Sequence, residues 1–123
     1  MGYPIINLRR LEIGPMKYVR GLETMLETTI SEFGINSMSE AKPTGVWVKN
    51  AKIASIGIKI SHGVTTHGFA INVNTDLAYF NHIIACGLPG SSTTSINKEL
   101  GHHVLMDDVV SKIIPNFGDV FGF

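Results

Sequence analysis

The chain has 123 residues, and its ten Lys and Arg balance ten Asp and Glu, so the formal net charge at pH 7 is zero. This length predicts a single domain, and the balanced charge argues against non-specific binding of nucleic acid. The single cysteine rules out an internal disulfide and a cysteine-rich zinc site, and it is typical of a reducing compartment. Because no run of about 18 apolar residues occurs, we expect no membrane-spanning helix.

The first third of the chain predicts a strand and then a helix. Residues 2–8 have the apolar composition of a strand. No other element precedes this predicted strand in the sequence, which is typical of a strand from the middle of a larger fold. From Pro15 to Phe33, apolar residues recur at steps of three and four, which predicts an amphipathic helix that Gly34 would end. Residues 36–44 are polar and predict a surface loop.

The middle of the chain changes to a period of two, which indicates strands. Residues 45–48 form a short β-prone run. In residues 52–60 apolar side chains alternate with small or polar ones, and residues 66–73 repeat this alternation. Residues 49–51 and 61–65 are typical of turns, so we expect an antiparallel meander of three strands.

Two short helices are predicted after the meander. Capping residues at 74–76 precede an apolar stripe that ends just before Cys86, so we expect Cys86 to lie in a loop. Either Thr94 or Ser95 caps the second helix, which ends at Gly101.

A last helix is predicted to begin at Asp107. Pro115 falls within it and should kink or shorten it. The residues expected on its buried face are Val109, Val110, Ile113 and Phe117.

Cys86 and Lys52 are the best candidates for chemistry. A free thiol with a pKa near ~8.5 is only slightly ionised at neutral pH, so a nucleophilic cysteine needs a cation or a base beside it. Lys52 could supply that charge, and Lys49 and Lys59 are weaker rivals. The alternatives are a buried, inert cysteine and a solvated lysine at a turn.

The other polar clusters give weaker signals. The histidine spacing, with His62 and His67 across a turn and His102 beside His103, does not fit a metal site. His67 next to Gly68 could present both an imidazole and an accessible amide, or it could lie in a surface turn. Residues 91–95 are rich in hydroxyls but lack a nucleophile-elbow pattern, so we expect a loop with a helix cap there.

Several segments, taken together, resemble the octanoyltransferases of lipoate biosynthesis, also called lipoyl(octanoyl) transferases. The resemblance covers residues 2–100. The segments that carry it are Gly2-Tyr3-Pro4-Ile5-Ile6-Asn7-Leu8-Arg9, Gly45-Val46-Trp47-Val48, Lys52-Ile53-Ala54-Ser55-Ile56-Gly57, Thr66-His67-Gly68-Phe69-Ala70-Ile71-Asn72-Val73, Asp76-Leu77, Cys86-Gly87 and Thr94-Ser95.

The resemblance implies a fold and a set of site residues. The fold is mixed α/β (α+β), a largely antiparallel sheet with flanking helices that is shared with biotin and lipoate protein ligases, and residues 1–123 would form a single catalytic domain. Cys86 would accept an octanoyl group as a thioester, and Lys52 would stabilise the thiolate and move protons. The residues implied to bind substrate, in part as oxyanion donors through their amides, are Ser55, Ile56, Gly57, His67, Gly68, Phe69 and Ala70.

The resemblance also implies partners and a location. The acyl donor would be octanoyl-acyl carrier protein, and the acceptors would be lipoyl domains of 2-oxoacid dehydrogenase E2 subunits and the glycine-cleavage H protein. No metal or other cofactor, no nucleic acid and no membrane is implied. The compartment would be bacterial cytoplasm or the mitochondrial matrix.

The chain departs from the family pattern at two points. Ala85 stands where the family usually has proline before the cysteine. The family's Arg-Gly-Gly and His-Gly-Pro-Gly region, which lines the acyl pocket, is missing, so the chain is similar to the C-terminal part of an octanoyltransferase. The main alternative is therefore a truncated, catalytically silent fragment that acts at most as a carrier-protein-binding module. An ATP-using lipoate ligase fits the cysteine motif less well.

Overall fold

The computed structural model describes residues 2, 4–5, 7–8, 12–39, 45–49, 51–74 and 92–122. Within these ranges the chain forms one four-stranded sheet with helices packed against it. The elements in chain order are α1 (Pro15–Ser31), β1 (Gly45–Val48), β2 (Ala51–Ser61), β3 (Val64–Ile71), β4 (Ser92–Thr93), α2 (Ile96–Leu100) and α3 (Met106–Phe121).

Strands β1, β2 and β3 form the predicted antiparallel meander, with β2 in the centre. The turn between β2 and β3 consists of His62 and Gly63, both with positive φ (53° and 81°). Two consecutive residues with positive φ make the tight turn whose twist matches that of the strands it joins. This turn fixes the register of β2 against β3 from Ser61 opposite Val64 onward.

Strand β4 was not predicted, because a loop was expected at residues 91–95. Ser92 and Thr93 instead pair in parallel with Ala51 and Lys52 at the start of β2. Strand β3 has already left β2 at this point, so β4 occupies the place beside β2 that β3 vacates.

The predicted first strand is present as two isolated bridges within the described residues. Gly2 pairs with Phe69 and Asn7 pairs with Val64, both along the outer edge of β3. The Thr65 hydroxyl, buried below this edge, donates to the Pro4 carbonyl (3.2 Å). The N-terminal residues therefore cover the edge of β3.

The core lies between the sheet and helix α1. Apolar side chains of α1 recur at the predicted spacing, and those of Tyr18, Leu22, Met25, Leu26 and Ile30 are fully buried. The sheet contributes Val46, Val48, Ile53, Ala54, Ile56 and Phe69 to the same cluster. Burial raises the pKa of Tyr18, and a hydrogen bond with the Thr65 side chain partly offsets this effect.

The two C-terminal helices follow the predictions in part. Ser95 caps α2, because its hydroxyl accepts a hydrogen bond from the Lys98 amide (3.3 Å), and Gly101 ends this helix with a φ of 81°. No helix in the described part of the chain is long and apolar enough to cross a membrane.

Helix α3 differs from its prediction in two ways. It begins at Met106 and continues through Pro115 to Phe121, so Pro115 does not shorten it. Pro115 lies on the exposed side of the helix, where water can replace the hydrogen bond that its missing amide would have made. Val110 is 46% exposed rather than buried, and Asn116 is buried in the interface instead.

Asn116 joins α3 to α1 through two hydrogen bonds. Its Nδ2 donates to the Thr29 hydroxyl and to Glu32 Oε1, both at 3.0 Å. The Thr29 hydroxyl in turn donates to the Met25 carbonyl (2.8 Å). A buried amide with satisfied donors fixes the position of α3 along α1, because sliding would leave these groups unpaired.

We expect Asn116→Ala to lower the free energy of unfolding by about 1–2 kcal/mol, since it removes the buried amide that donates to the Thr29 hydroxyl and to Glu32. Urea unfolding followed by circular dichroism would measure this change. Ser111→Ala on the same helix is the control, because this exposed hydroxyl bonds only its own helix. Equal stability of the two variants would contradict the assigned role of Asn116.

Candidate active site

Lys52 lies near the start of β2, between β1 and β4. It is opposite Trp47 on β1 and opposite Thr93 on β4. The Thr94 amide donates to the Lys52 carbonyl (2.9 Å). The backbone of Lys52 is thus held by strands on both sides, which fixes the point from which its side chain extends.

A shift in register decides which face of the sheet Lys52 occupies. Val46 pairs with Ala54, but the next residue, Trp47, pairs with Lys52, so Ile53 is an extra residue on β2. Directly paired residues share a face, and a bulge of this kind moves the side chains that precede it to the other face. Lys52 therefore lies on the face of Trp47, whereas strict alternation would have put it with Ala54.

The face that Lys52 shares is the open face of the sheet, which we define by Gly45, Trp47, Lys52, Ser55 and Gly57. Gly45 pairs with Ser55, and Gly57 pairs with Gly68 on β3. Ser55 and Gly57 are exposed, in contrast to the buried Ala54 and Ile56 on the core face. The bulge thus brings the candidate lysine to a surface lined by small residues.

The Lys52 side chain runs across Gly45 toward the Trp47 ring. A Cβ atom on Gly45 would lie 2.6 Å from Lys52 Cε, so any larger residue would collide with the lysine. The Lys52 ammonium nitrogen lies 5.4 Å from the centroid of the Trp47 ring, within the range of a cation–π interaction. Gly45 and Trp47 were not among the predicted site residues, although both lie in the short run that precedes Lys52.

The segments expected to bind substrate divide between the two faces. Ser55, Gly57 and their partners Ala70 and Gly68 lie on the side of Lys52. Ile56 pairs with Phe69, and both side chains are buried on the core side. His67 pairs with Ile58 in the ladder.

The Phe69 amide is already engaged in the described structure. It donates to the Gly2 carbonyl (3.0 Å), and the Phe69 carbonyl accepts from the Gly2 amide (2.8 Å). A Cβ atom on Gly68 would lie 2.1 Å from the Gly2 oxygen, so only glycine allows this close approach. The N-terminal residues thus use the backbone that was expected to donate to an oxyanion at Phe69.

Cys86 lies outside the described residues, but the residues that flank its segment are well connected. Asn72 Nδ2 donates to the Thr94 carbonyl (3.0 Å), and the Ile96 amide donates to the Asn72 carbonyl (2.9 Å). The Asn72 amide itself donates to the Ile53 carbonyl (2.9 Å). Residues 72–74 and 92–96 therefore meet beside the bulge next to Lys52.

A second asparagine anchors the same region. The Asn74 side chain donates to the Val104 carbonyl (2.6 Å) and accepts from the Val104 amide (3.0 Å). The sequence predicts capping residues at 74–76, but the helix that they would cap lies outside the described residues. In the described ranges, no cluster of three or more His, Cys, Asp or Glu could hold a metal ion.

Comparisons with known proteins identify the family and support the fold. The model of the lipoyl protein ligase A/B catalytic domain matches residues 1–118. The chain belongs to this family. Biotin protein ligase from Aquifex aeolicus has a similar fold, with a TM-score of 0.77 at 16% identity over 98% of this chain and 51% of that protein. A lipoate-protein ligase A bound with ATP gives 0.73 at 14% identity, over 89% and 47%.

The curated relatives of this member of the lipoyl protein ligase A/B family are named octanoyltransferases. The relative from Koribacter versatilis is 44% identical over 98% of the chain. The relative from Christiangramia forsetii is 40% identical over the same share. The chain spans about half the length of these relatives, 50% and 54% respectively.

We expect Asn72→Ala to loosen the junction beside Lys52, because it removes the donor that joins β3 to the chain after β4. The free energy of unfolding should fall by about 0.5–1.5 kcal/mol, and the amides of Thr94 and Ile96 should exchange faster with deuterium. Hydrogen exchange measured by NMR would test this. Asn36→Ala, at an exposed loop position, is the control. Unchanged exchange at the Thr94 and Ile96 amides in Asn72→Ala would show that the Asn72 side chain does not stabilise this junction.

Proposed function

We propose that this chain carries the catalytic residues of an octanoyltransferase, with Cys86 as the nucleophile and Lys52 as its charge partner. The observation that carries the proposal is the position of Lys52 on the open face, beside the joined flanks of the segment that contains Cys86. The names of the relatives support the reaction class.

Chain connectivity is compatible with this pair. Cys86 lies six positions before Ser92, and an extended chain of that length spans at most about 22 Å. Ser92 precedes Thr93, which pairs with Lys52. The length of the tether therefore permits the proposed approach of the thiol to the lysine, and a nearby ammonium favours the thiolate form that attacks a carbonyl.

The proposed reaction has two transfers. In the first, the Cys86 thiolate attacks the thioester carbonyl of the octanoyl donor, the carbon–sulfur bond to the carrier breaks, and the carrier leaves as a thiol with a proton from Lys52. In the second, the amine of an acceptor lysine attacks the Cys86 thioester. An amide forms, the Cys86 thiolate is released, and the amine proton returns to Lys52. No oxidant, reductant or nucleotide is consumed.

The open face supplies a plausible surface for the acyl chain. Ser55 and Gly57 leave space above the sheet, and no atom lies within 4 Å of where a Cβ of Gly57 would be. Each buried methylene of an acyl chain contributes about 0.8 kcal/mol. Ile56 and Phe69 support this surface from the core side. We also keep His67, the residue before Gly68 on β3, as a proposed substrate-binding residue.

The partners follow from the proposed reaction. The donor is octanoyl-acyl carrier protein, and the acceptors are the lipoyl domains of 2-oxoacid dehydrogenase E2 subunits and the glycine-cleavage H protein. The reaction takes place in bacterial cytoplasm or in the mitochondrial matrix.

A second candidate function is a catalytically silent carrier-binding module. It is favoured by the share of the relatives that the chain spans, about half. It is also favoured by an apolar stripe on α3, where Met106, Val110 and Ile114 are 51%, 46% and 66% exposed.

Intact-mass analysis after incubation with octanoyl-acyl carrier protein distinguishes the two functions. We expect the parent chain to gain one octanoyl group that hydroxylamine removes, and Cys86→Ala to gain none. Lys52→Ala should slow the gain by about 100-fold, within the usual range for a positioned acid or base. Lys59→Ala, which removes an exposed lysine from the same strand, is the matched control and should react like the parent.

An octanoyl group that still forms on Cys86→Ala would exclude Cys86 as the nucleophile, because alanine leaves neither a thiol nor a hydroxyl at that position. A folded parent chain that binds the carrier protein but gains no mass would favour the silent module.

A further inference from the structure

We propose that Trp47 is a positioning residue for Lys52, holding its ammonium group at the open face without neutralising the charge. This inference rests on the proposed function, since it concerns the charge partner of that reaction. Trp47 and Lys52 are directly opposite in the register of β1 and β2, and the ammonium nitrogen lies 5.4 Å from the ring centroid.

The backbone that carries the ring is fixed from both sides. The Trp47 amide donates to the Met38 carbonyl, and the Met38 amide donates to the Trp47 carbonyl, both at 2.8 Å. On its other side Trp47 belongs to the β1–β2 ladder. The backbone that carries the Trp47 ring is therefore fixed. A contact with this ring restricts the flexible Lys52 side chain before substrate binds, which reduces the side-chain entropy lost when the reaction begins.

The kind of contact matters for the chemistry. In the described ranges no carboxylate lies within 4.0 Å of the Lys52 ammonium group. The ion pair seen in these ranges joins Lys112 to Glu32, away from Lys52. A carboxylate would hold the ammonium group but would also compensate its charge. The face of an aromatic ring attracts the cation while leaving its N–H donors and its full charge available to a thiolate.

Gly45 completes the arrangement. A Cβ atom at Gly45 would lie 2.6 Å from Lys52 Cε and 3.4 Å from its nitrogen, so the lysine stem occupies the space of the absent side chain. The glycine lets the stem lie flat against the sheet, and the ring defines where the stem ends. The bulge at Ile53, the glycine at position 45 and the Trp47 ring together thus determine the position of the Lys52 ammonium group.

The first readout is the position of the ammonium group, which needs no carrier protein. Lysines labelled with ¹³C-dimethyl groups remain cationic, and the Lys52 resonance is assigned by its loss in Lys52→Arg. We expect an upfield shift of this resonance in the parent chain, loss of that shift in Trp47→Leu, and partial retention in Trp47→Phe.

The second readout is the initial rate of octanoyl-adduct formation from octanoyl-acyl carrier protein. Trp47→Leu should be about 2- to 30-fold slower than the parent, the range that cation–π energies imply, and Trp47→Phe should recover most of the rate. Phe33→Leu is the matched control, because Phe33 makes the equivalent contact with Lys112 at 5.5 Å, away from the open face. Circular dichroism confirms folding; if Trp47→Leu does not fold, Trp47→Met replaces it, since methionine also removes the aromatic ring and keeps a large apolar side chain at this position.

The outcomes separate the two proposals. An unchanged Lys52 resonance in Trp47→Leu, or a changed resonance with an unchanged adduct rate, overturns the positioning role while the octanoyltransferase proposal stands. A parent chain that forms no adduct overturns the proposed function and the catalytic part of this inference together. A shifted resonance with a slower rate, restored by phenylalanine and unaffected by Phe33→Leu, supports it.

Discussion

The pairing of β1 with β2 is the constraint on which the candidate site depends. Between Val46 and Trp47 the partner on β2 changes from Ala54 to Lys52, and Ile53 is accommodated as an extra residue. Because side chains in a strand alternate between faces, one extra residue reverses the faces of everything before it. The core keeps Ala54 and Ile56 buried, while the charged end of Lys52 avoids the desolvation cost of the interior.

The layers behind the sheet make this register stable. Helix α1 buries an apolar stripe against β1 and β2, and the Asn116 hydrogen bonds hold α3 at a defined position along α1. A slip of β1 by one residue would expose Val46 and Val48 to solvent and bury Trp47 in their place. The same packing energy that forms the core therefore also determines the face on which Lys52 lies.

The residues on either side of the segment that contains Cys86 are held beside Lys52 by the pairing of β2 with β4. Asn72 and Asn74 use their amide side chains to join the end of β3 to the chain after β4, and β4 lies directly beside Lys52. Joining the two flanks of a segment lowers the conformational entropy of the residues between them. In the proposed mechanism the joined flanks hold the ends of the segment that contains Cys86 beside Lys52.

The sequence by itself determined the strongly periodic parts of the chain. The spacing of apolar residues identified α1 and the three-stranded meander, Ser95 identified the start of α2, and the quoted motifs identified the family, because each of these signals is local in the chain. Cys86 and Lys52 were selected from sequence as a pair, and Cys86 itself lies outside the described residues.

Only the tertiary structure decided what depends on contacts between distant segments. Strand β4, the continuation of α3 through Pro115 and the burial of Asn116 all arise from partners far away in the chain, which local periodicity does not encode. The face of Lys52 is the clearest case. The alternating pattern from Ala54 to Ile60 assigns Lys52 to the core side, and the bulge reverses that assignment because it is set by the pairing of two strands rather than by either strand alone.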